Sequence, residues 1–567
     1  DFSDRYTIVF NGEFFNFQYY RDYLIKKGVQ LKSQSDTEVL LNLYITEGPA
    51  FLNKINGFFA FAVYDRKEES LFIARDRMGI KPLFIYRDND KFIFASELKA
   101  LLEYGIPKEI DHTSLYEFLQ LNYIPAPFSI FKNVSKLKPG SYLTIKNEVV
   151  TETEYYKIPF DPDKNLLETP YPSYNEAQNK IIDILDTSVK LRLISDVPLG
   201  AFLSGGIDSS IVVALASKYT DKLNTFSIGY KDEPMFDETN YAKLVAEKFK
   251  TNHTVFSLTN DDLFSVLFNV LDYTDEPFAD SSALAVYILS MNTRKHVTVA
   301  LSGDGADELF GGYNKHKAEY RIRNAQVSEK ALALLKPLWD VLPQSRNSAF
   351  SNKIRQFSRF AAGANLSTNE RYWKWCSFTS EAEAKKLLKS NTSGDYYERK
   401  EIILKHISEN KDMNDVLYTD MHLVLQNDML VKVDMMSMAN SLEVRVPFLD
   451  YNLVNYVFSL PSEYKINKNV GKKVLQDAFR KILPEELYNR PKHGFEVPLL
   501  KWLRKELKSF VFDEMLNEEF IQSQGLFNYD EILKLKLKLF SNNPGDVSAR
   551  LWGLVVFQYW WKKYFLN

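Results

Sequence analysis

The sequence predicts a multidomain α/β protein, with an antiparallel sheet at its N-terminal end, then a parallel sheet, and a helical C-terminal part. Three observations support this prediction. A chain of 567 residues is too long for one hydrophobic core. Short β-rich runs separated by charged turns come first along the chain, as in hairpins. Apolar runs that alternate with helical patterns follow, which is typical of a parallel sheet covered on both faces.

The first part, residues 1–158, contains mostly strands. A helix over residues 37–47 interrupts them, after the capping signal Ser35-Asp36. The predicted strands are residues 6–10, 58–64, 70–74, 83–86 and 91–95. Charged turns between the last four of these runs favour an antiparallel sheet.

A proline-rich stretch, residues 159–174, is predicted to be an interdomain linker, and residues 175–567 form the second domain. Alternating strands and helices open this domain, and from Tyr313 onward we expect mostly helix. The predicted strands are residues 197–203, 225–230, 253–258 and 297–301. The predicted helices are residues 209–218, 237–250, 261–273 and 281–296. Residues 534–539 alternate Lys and Leu, which fits a strand and a helix with extended lysines equally well.

Composition excludes several classes of protein. The formal net charge is −3, which disfavours a general nucleic-acid binder. The single cysteine, Cys376, excludes an internal disulfide framework. The seven histidines show no zinc-ligand spacing. The apolar stretch 551–561 is too short to span a bilayer, and charged residues at the start disfavour a secretory signal. We expect a cytoplasmic protein that binds neither nucleic acid nor membrane.

A glycine- and serine-rich motif, L-S-G-G-I-D-S-S at residues 203–210, joins an apolar strand to a helix. Adjacent glycines allow close approach of the backbone to an anion, and a helix N-terminus supplies unpaired N–H groups. The motif therefore predicts a polyphosphate site. Asp208 is suited to Mg²⁺, which takes one or two carboxylates together with phosphate oxygens. The Walker pattern G-x-x-x-x-G-K-[ST] is absent from this motif.

A second motif, L-S-G-D-G-A-D-E-L-F-G-G-Y at residues 301–313, follows another buried strand. Ligands of parallel α/β sheets bind at the carboxyl ends of the strands, so both motifs should face one crevice. Its three carboxylates are suited to hold metal or to act as a general base beside phosphate.

Together these motifs resemble the asparagine synthetase family of glutamine-dependent amidotransferases. The first motif alone would fit any ATP pyrophosphatase, but the second narrows the choice. Residues 439–450 (A-N-S-L-E-V-R-V-P-F-L-D) and 490–495 (R-P-K-H-G-F) agree with the family. In the first part, residues 11–13, 35–38 and 75–83 resemble the motifs of its class II, N-terminal nucleophile, glutaminase domain.

The resemblance implies a glutamine amidotransferase domain at 1–158, incomplete at its start, and a Rossmann-like ATP-pyrophosphatase domain with helical C-terminal part at 175–567. It implies amidation of aspartate to asparagine with glutamine-derived ammonia, through β-aspartyl-AMP, releasing AMP and pyrophosphate. The alternative is the same chemistry on another carboxylate, such as a cell-envelope precursor or a peptide. A non-catalytic ATP-binding partner is disfavoured by the two intact motifs. ATP and Mg²⁺ are the expected cofactors, and a homodimer is one possible assembly.

The resemblance also assigns roles in the synthetase domain. Asp304 would govern formation of the adenylate, and Lys472 would be the catalytic lysine, with the adjacent Lys473 as the competing assignment. Asp208 and Asp307 would hold Mg²⁺. The ATP-binding set would be Leu203, Ser204, Gly205, Gly206, Asp208, Ser209, Ile228, Ser302 and Gly303.

In the glutaminase domain, Asn11 and Gly12 would form the oxyanion hole. Glu13 and Asp36 would hold the amino end of glutamine, although Asp36 is equally well placed as a helix N-cap. Two features of the family, the N-terminal nucleophilic cysteine and an R-H-R-G-P-D segment, do not occur in this sequence. Cys376, among aromatic residues in the helical part, is expected to be structural. We therefore expect this chain to be a fragment of a longer reading frame. The chain alone should make amide from ammonia but not from glutamine, whereas its parent protein should depend on glutamine.

Overall fold

The computed structural model describes residues 1, 4–161, 171–232, 237–344, 349–390, 395–489 and 497–566. Its N-terminal part contains two antiparallel sheets. Their strands are β1 (Tyr6–Phe14), β2 (Gly57–Asp65), β3 (Ser70–Arg75), β4 (Phe84–Arg87), β5 (Phe92–Ala95), β6 (Val134–Lys136), β7 (Ser141–Lys146) and β8 (Val149–Glu154). The larger sheet has the order β1-β2-β3-β7-β8, and the smaller has the order β5-β4-β6. Every predicted strand of this part is present, so the antiparallel prediction is confirmed.

Helices cover one face of the larger sheet. The N-terminal helices are α1 (Phe17–Lys26), α2 (Asp36–Glu47), α3 (Leu98–Tyr104) and α4 (His112–Leu121). Leu40 and Leu43 of α2 pack in one cluster with Phe59 and Phe61 of β2. β2 is nearly all buried because it has a neighbour on each side and packing on both faces. The strand is accordingly apolar at almost every position.

A parallel sheet forms the centre of the second part. Its strands are β9 (Leu199–Phe202), β10 (Asn224–Tyr230), β11 (Asn252–Leu258), β12 (Val299–Leu301) and β13 (Glu443–Arg445). The order is β11-β10-β9-β12-β13, and all neighbours run parallel. The chain leaves β9 toward β10 on one side and later places β12 on the other. The ends of β9 and β12 therefore flank a topological switch point, where ligands bind in such sheets.

The edge strand β13 is missing from the sequence prediction, which placed helix from Tyr313 onward. It is only three residues long, and two of them, Glu443 and Arg445, are charged. Such a segment carries no strand pattern of its own. Its pairing with β12 gives it its conformation.

Helices surround this sheet and continue to the end of the described chain. Those nearest the sheet in sequence are α5 (Tyr174–Arg192), α6 (Ile207–Ala216), α7 (Thr239–Phe249), α8 (Asn260–Ser265), α9 (Leu267–Tyr273), α10 (Ala283–Thr293) and α11 (Ala306–Phe310). The later helices are α12 (Asn314–Arg323), α13 (Val327–Leu334), α14 (Lys336–Val341), α15 (Ala349–Ala364), α16 (Thr368–Cys376), α17 (Glu381–Leu387), α18 (Asp395–Leu404), α19 (Asn414–Asp420), α20 (Leu430–Met438), α21 (Tyr451–Ser459), α22 (Ser462–Lys465), α23 (Lys473–Phe479), α24 (Leu499–Arg504), α25 (Glu518–Gln524), α26 (Tyr529–Leu539) and α27 (Val547–Trp561). A π-helical segment, Met421–Met429, connects α19 to α20.

The alternating segment 534–539 lies in helix α26, so the helical alternative is correct. Lys536 extends to the carbonyl oxygen of Leu516 and lies over the ring of Tyr529. Its alkyl chain thus covers apolar surface while the ammonium finds a partner, as in the extended-lysine interpretation.

The two parts of the chain share one hydrophobic cluster. Leu101 and Phe118, which belong to the N-terminal half, pack in the same cluster as Trp552 and Trp560 of helix α27. The proposed limits 1–158 and 175–567 remain predictions, because the structure does not test them. Residues 162–170 of the predicted linker lie outside the described residues.

Buried polar contacts also join the two parts. Asn56 Nδ2 donates to Asp450 Oδ2 at 2.8 Å, and Arg192 pairs with the same carboxylate at 3.0 Å. Lys81 Nζ lies 2.8 Å from Asp434 Oδ1 on helix α20. Each contact gives a partner to a charged group whose burial alone would be unfavourable. The orientation of the two parts is therefore fixed by polar as well as apolar contacts.

Within the described residues, none of the helices combines the length and the apolar character that crossing a membrane requires.

Candidate active site

The first motif forms a tight loop between β9 and α6. Gly205 has a φ of +74°, and a Cβ there would lie 2.7 Å from Ala242 N, so a side chain fits neither the backbone nor the space. Ser204 and Ser209 are tied across the loop, since Ser204 N donates to Ser209 Oγ at 3.2 Å and the two hydroxyls lie 3.1 Å apart. Gly206 is the N-cap of α6. These contacts place free N–H groups of the helix N-terminus beside the loop, as the polyphosphate prediction requires.

The second motif follows β12 and lies directly against the first. A Cβ on Gly303 would lie 2.8 Å from Ser209 N and 2.9 Å from Asp208 Cβ, so the two loops touch through this glycine. Ser302 N donates to the carbonyl oxygen of Arg445 on β13 at 2.9 Å, and its hydroxyl donates to Asp304 Oδ2 at 2.5 Å. The close approach of the two loops at Gly303 confirms the sequence prediction that both face one crevice.

Asp304 lies between two glycines on the wall of this crevice. Burial is the main cause of its raised pKa, and the negative charges of Asp307 and Asp208 add to it. The Ser302 hydrogen bond and the positive charge of Lys432 act in the opposite direction. Asp304 is therefore a carboxyl group whose charge depends on what binds beside it.

Lys472 reaches both loops from the N-terminus of α23. Its Nζ lies 2.6 Å from Asp208 Oδ2 and 2.7 Å from Asp307 Oδ1, and its backbone N donates to Phe310 O at 2.9 Å. Burial lowers the pKa of Lys472, but the negative charges of Asp208 and Asp307 raise it by more. The pKa of Lys472 therefore lies above its usual value. Gly312 makes this approach possible, because a Cβ there would lie 1.9 Å from Asp307 Oδ1 and 2.1 Å from Lys472 Cε.

Lys473 contacts different residues. Its Nζ donates to Tyr174 OH at 2.8 Å and pairs with Asp477 at 2.9 Å. The backbone of Lys472 has a φ of +54°, and this left-handed turn sends adjacent side chains in different directions. The geometry thus favours Lys472 over Lys473 as the lysine of the site.

A cavity of about 1550 Å³ contains these groups. Drug-sized ligand pockets typically measure about 300–1,000 Å³, so this one is large enough for a nucleotide together with a second substrate. Every predicted ATP-binding residue except Gly205 lines it, as do Asp304, Asp307 and Lys472. Two residues of the predicted ATP-binding set supply apolar wall: Leu203 directly follows β9, and Ile228 lies on the neighbouring strand β10.

The residues also fit Mg²⁺. Asp208 Oδ1 is buried and has no hydrogen-bond partner in the described part of the chain, so one carboxylate oxygen is available for a ligand. Asp307 lies on the other side of Lys472 Nζ, so the two carboxylates are close together. Mg²⁺ requires few protein carboxylates when phosphate oxygens complete its coordination. The described residues contain no group of three or more His, Cys, Asp or Glu side chains placed to hold a metal ion.

Two family models match this chain. The model described as asparagine synthase matches residues 180–562, well over half of the sequence, and the model described as glutamine amidotransferase domain matches residues 2–156. The chain belongs to the asparagine synthase family. The resemblance drawn from the motifs is therefore confirmed, and with it the general chemistry of an amidotransferase ligase that depends on ATP.

Curated relatives agree with this asparagine synthase assignment. The chain is 33% identical to glutamine-hydrolyzing asparagine synthetase 1 of Bacillus subtilis, over 98% of this chain and 85% of that protein. It is 32% identical to a putative glutamine-hydrolyzing asparagine synthetase of Mycobacterium tuberculosis, over 98% of this chain and 84% of that protein. It is also 25% identical to amidase chry2 of Gibberella zeae, over 93% of this chain and 84% of that protein.

The predicted glutamine-binding residues Asn11, Gly12 and Glu13 lie on β1, at one edge of the larger antiparallel sheet. Asn11 Nδ2 donates to Ser96 Oγ at 3.1 Å, and Gly12 has no room for a side chain because its Cβ would lie 2.0 Å from Phe58 O. Glu13 lies 3.3 Å from Arg445 of β13, so this strand contacts the synthetase sheet directly. Burial, and then the charge of Glu443, raise the pKa of Glu13 to about 7. The assignment of these residues to glutamine stays a prediction.

Asp36 has a different local role from the one its position suggests. Ser35 is the N-cap of α2, because its side chain accepts a hydrogen bond from Glu38 N. The alternative of Asp36 as N-cap is therefore wrong. Its Oδ2 instead accepts from Phe14 N at 3.1 Å, which ties α2 to the end of β1. That contact brings Asp36 to the strand that carries Asn11, Gly12 and Glu13.

Cys376 lies at the end of α16, in a polar cluster of the helical part. Lys315 Nζ is 3.6 Å from its sulfur, and burial raises the pKa of the thiol to about 11. A thiol protonated at neutral pH is a poor nucleophile. The geometry agrees with the structural role predicted for it.

We expect Cys376→Ser to keep ammonia-dependent pyrophosphate release within about two-fold of the unmodified protein, since serine preserves the size and the hydrogen bond. Steady-state pyrophosphate release measures this. A loss of about 100-fold in a variant with an unchanged melting temperature would contradict a structural role.

The sequence prediction missed two residues of the cavity, and one of the predicted motifs lies outside the described residues. Asp280 and Lys432 line the same cavity, and the sequence prediction did not include them. The signal was present, because Lys432 is a lone cation among the apolar residues of α20. The motif at residues 490–495 lies outside the described residues.

Proposed function

We propose that this protein converts aspartate to asparagine, using ATP and glutamine-derived ammonia, through β-aspartyl-AMP. One observation carries the proposal. Two phosphate-type loops meet at the switch point of a parallel sheet, and Lys472 bridges a carboxylate from each of them. That arrangement serves to bind a polyphosphate and to stabilise charge as it develops there. Family membership supplies the coarser reaction class, and aspartate is the acceptor that the names of the relatives suggest.

The residues of the first loop would bind the phosphates. Free N–H groups at the start of α6 and the hydroxyls of Ser204 and Ser209 face the cavity, where they can donate to phosphate oxygens. Asp208 and Asp307 would hold Mg²⁺, which neutralises phosphate charge when bound. Lys472 is already positioned between them and requires no reorganisation to act as a fixed cation.

A carboxylate does not react with ammonia until it acquires a better leaving group. Attack of a carboxylate oxygen on the α-phosphorus forms the acyl-adenylate and releases pyrophosphate. Ammonia then attacks the acyl carbon, the C–O bond to AMP breaks, and one proton leaves the nitrogen. Asp304, which accepts a hydrogen bond from the Ser302 hydroxyl, would govern formation of the adenylate.

The direct test uses ammonium chloride as nitrogen donor, so that the outcome does not depend on glutamine hydrolysis. Pyrophosphate release is measured with aspartate, glutamate, succinate, a peptide acid and a cell-envelope carboxylate as acceptors. Release with aspartate, together with asparagine formed in equal amount, supports the proposal. Release only with one of the larger acids would instead favour the same machinery acting on another carboxylate.

Asp304→Asn should lower aspartate-dependent pyrophosphate release by about 100-fold or more, because the substitution preserves size but removes the negative charge. Asp546→Asn is the matched control, since Asp546 also lines the cavity but pairs with Arg355 and Arg359. It should change the rate by no more than about two-fold. Equal rates for the two variants would remove Asp304 from the mechanism.

The homodimer and the cytoplasmic location stay predictions.

A further inference from the structure

A second charged cluster lines the same cavity and takes no part in the phosphate site. Asp280 precedes helix α10, and Lys432 lies on helix α20. Lys432 Nζ is 2.7 Å from Asp280 Oδ2. The two residues are 152 positions apart in sequence, so only the fold brings them together. Both line the cavity that holds Asp304 and Lys472.

The cluster is built to keep its charges. The backbone N and the hydroxyl of Ser282 donate to Asp280 at 2.9 Å and 2.8 Å, which fixes the carboxylate. Burial raises the pKa of Asp280, but the charge of Lys432 and these hydrogen bonds outweigh it, and the pKa lies below its usual value. Lys432 is 6% exposed and contacts Met429 Sδ at 3.3 Å. An ammonium has three donors, so Lys432 retains capacity for a further acceptor.

A buried ion pair on a cavity wall is complementary to a zwitterion. An α-amino acid carries one ammonium and one carboxylate on adjacent atoms, and each can pair with the opposite member of the cluster. Such binding adds no net charge to the buried region, which limits the cost of desolvation. Lys432 is also near enough to Asp304 for its charge to lower the pKa of that group, so the cluster adjoins the reacting region.

We propose that Lys432 binds the α-carboxylate and Asp280 the α-ammonium of the acceptor, so that this cluster restricts the enzyme to free α-amino acids. The assignment rests on the proposed amidation of aspartate and deepens it. The side-chain carboxylate of the bound amino acid is then the group left to reach the phosphate loops. A peptide or envelope carboxylate without a free α-ammonium and α-carboxylate would make neither of these two pairings.

Two truncated acceptors test each contact separately. 3-Aminopropanoate is aspartate without its α-carboxylate, and succinate is aspartate without its ammonium. The ratio of kcat/KM for aspartate to that for 3-aminopropanoate should be about 100 in the unmodified protein, as expected for losing a charged hydrogen bond. In Lys432→Met this ratio should fall to about 3 or less, because the partner is already gone.

Asp280→Asn should show the complementary pattern. The ratio of aspartate to succinate collapses, while the ratio of aspartate to 3-aminopropanoate stays within about three-fold of its unmodified value. Lys501→Met is the control, since Lys501 lines the cavity and is exposed. It should leave both ratios unchanged. If Lys432 has only a structural role, its replacement lowers kcat/KM equally with every acceptor. Ratios that stay constant would therefore overturn the assignment.

Binding measurements cover variants that lose all turnover. Calorimetric titration of aspartate and 3-aminopropanoate into protein saturated with α,β-methylene-ATP gives the same ratios without chemistry. If the unmodified protein binds aspartate selectively but releases no pyrophosphate, the proposed function fails and this inference stands. If it releases pyrophosphate and Lys432→Met keeps the full ratio, this inference fails and the function stands.

Discussion

Replacement of Lys472 by methionine is expected to lower acceptor-dependent pyrophosphate release by about 1000-fold. Methionine keeps much of the apolar stem but removes the ammonium that Asp208 and Asp307 share at 2.6 and 2.7 Å. Without that cation the two carboxylates repel each other and the incoming triphosphate. The loss should appear in pyrophosphate release with ammonium chloride as nitrogen donor, at saturating ATP and aspartate.

Lys473→Met is the matched control for this variant. Lys473 pairs with Asp477 and Tyr174, and its side chain is partly exposed, so its removal should change the rate by no more than about two-fold. Circular dichroism and a melting curve check that the Lys472 variant folds, because breaking a buried ion pair costs about 3–5 kcal/mol. A larger loss of activity in Lys473→Met would transfer the catalytic role to that residue.

The choice between Lys472 and Lys473 shows what the sequence could not decide. Both lysines lie in the same short motif, so sequence spacing alone cannot show which of them belongs to the site. The distinction comes from a left-handed turn at Lys472 and from a glycine at 312 that leaves room for its stem. The turn is a backbone conformation of Lys472 itself, and the glycine lies about 160 positions earlier in the chain.

The strands and loops of the site were more predictable. β9 and β12 are apolar runs followed by glycine-rich loops, and parallel sheets place such loops at one edge. The sequence therefore predicts the crevice and the two loops that meet in it. It missed the pairing of Asp280 with Lys432, because the two residues are 152 positions apart and neither belongs to a glycine-rich motif. It also missed β13, whose three residues acquire their conformation from β12.

The N-terminal part gives a similar division. The predicted strands follow from β-rich runs and charged turns, and all of them are present, whereas β6, β7 and β8 were not predicted. Ser35 and Asp36 are both good capping residues, so their order in sequence could not show which one caps α2. The structure gives the cap to Ser35 and directs Asp36 to Phe14 of β1. Contacts with residues distant in sequence thus decide which of the two side chains caps the helix.

Gly303→Ala should disable the site although it removes no polar group. A Cβ at this position would lie 2.8 Å from Ser209 N and 2.9 Å from Asp208 Cβ, closer than real Cβ contacts come, and 3.0 Å from Asp208 C, which is tighter than most of them. Two of these atoms belong to the backbone at the start of α6, so the strain cannot be relieved by turning a flexible side chain. The two loops must separate instead. Such separation moves Asp208 away from Lys472 and from Asp307.

A displacement of about 1 Å between groups that act together can cost about 100-fold in rate, and we expect at least that loss of pyrophosphate release in Gly303→Ala. Gly28→Ala is the control, because Gly28 has a φ of +84° but nothing within 4 Å of the added Cβ. It carries backbone strain without touching the loops and should keep its activity even if its melting temperature falls. Near-normal release by Gly303→Ala would mean that the two loops do not have to be in contact, and the shared phosphate site would be wrong.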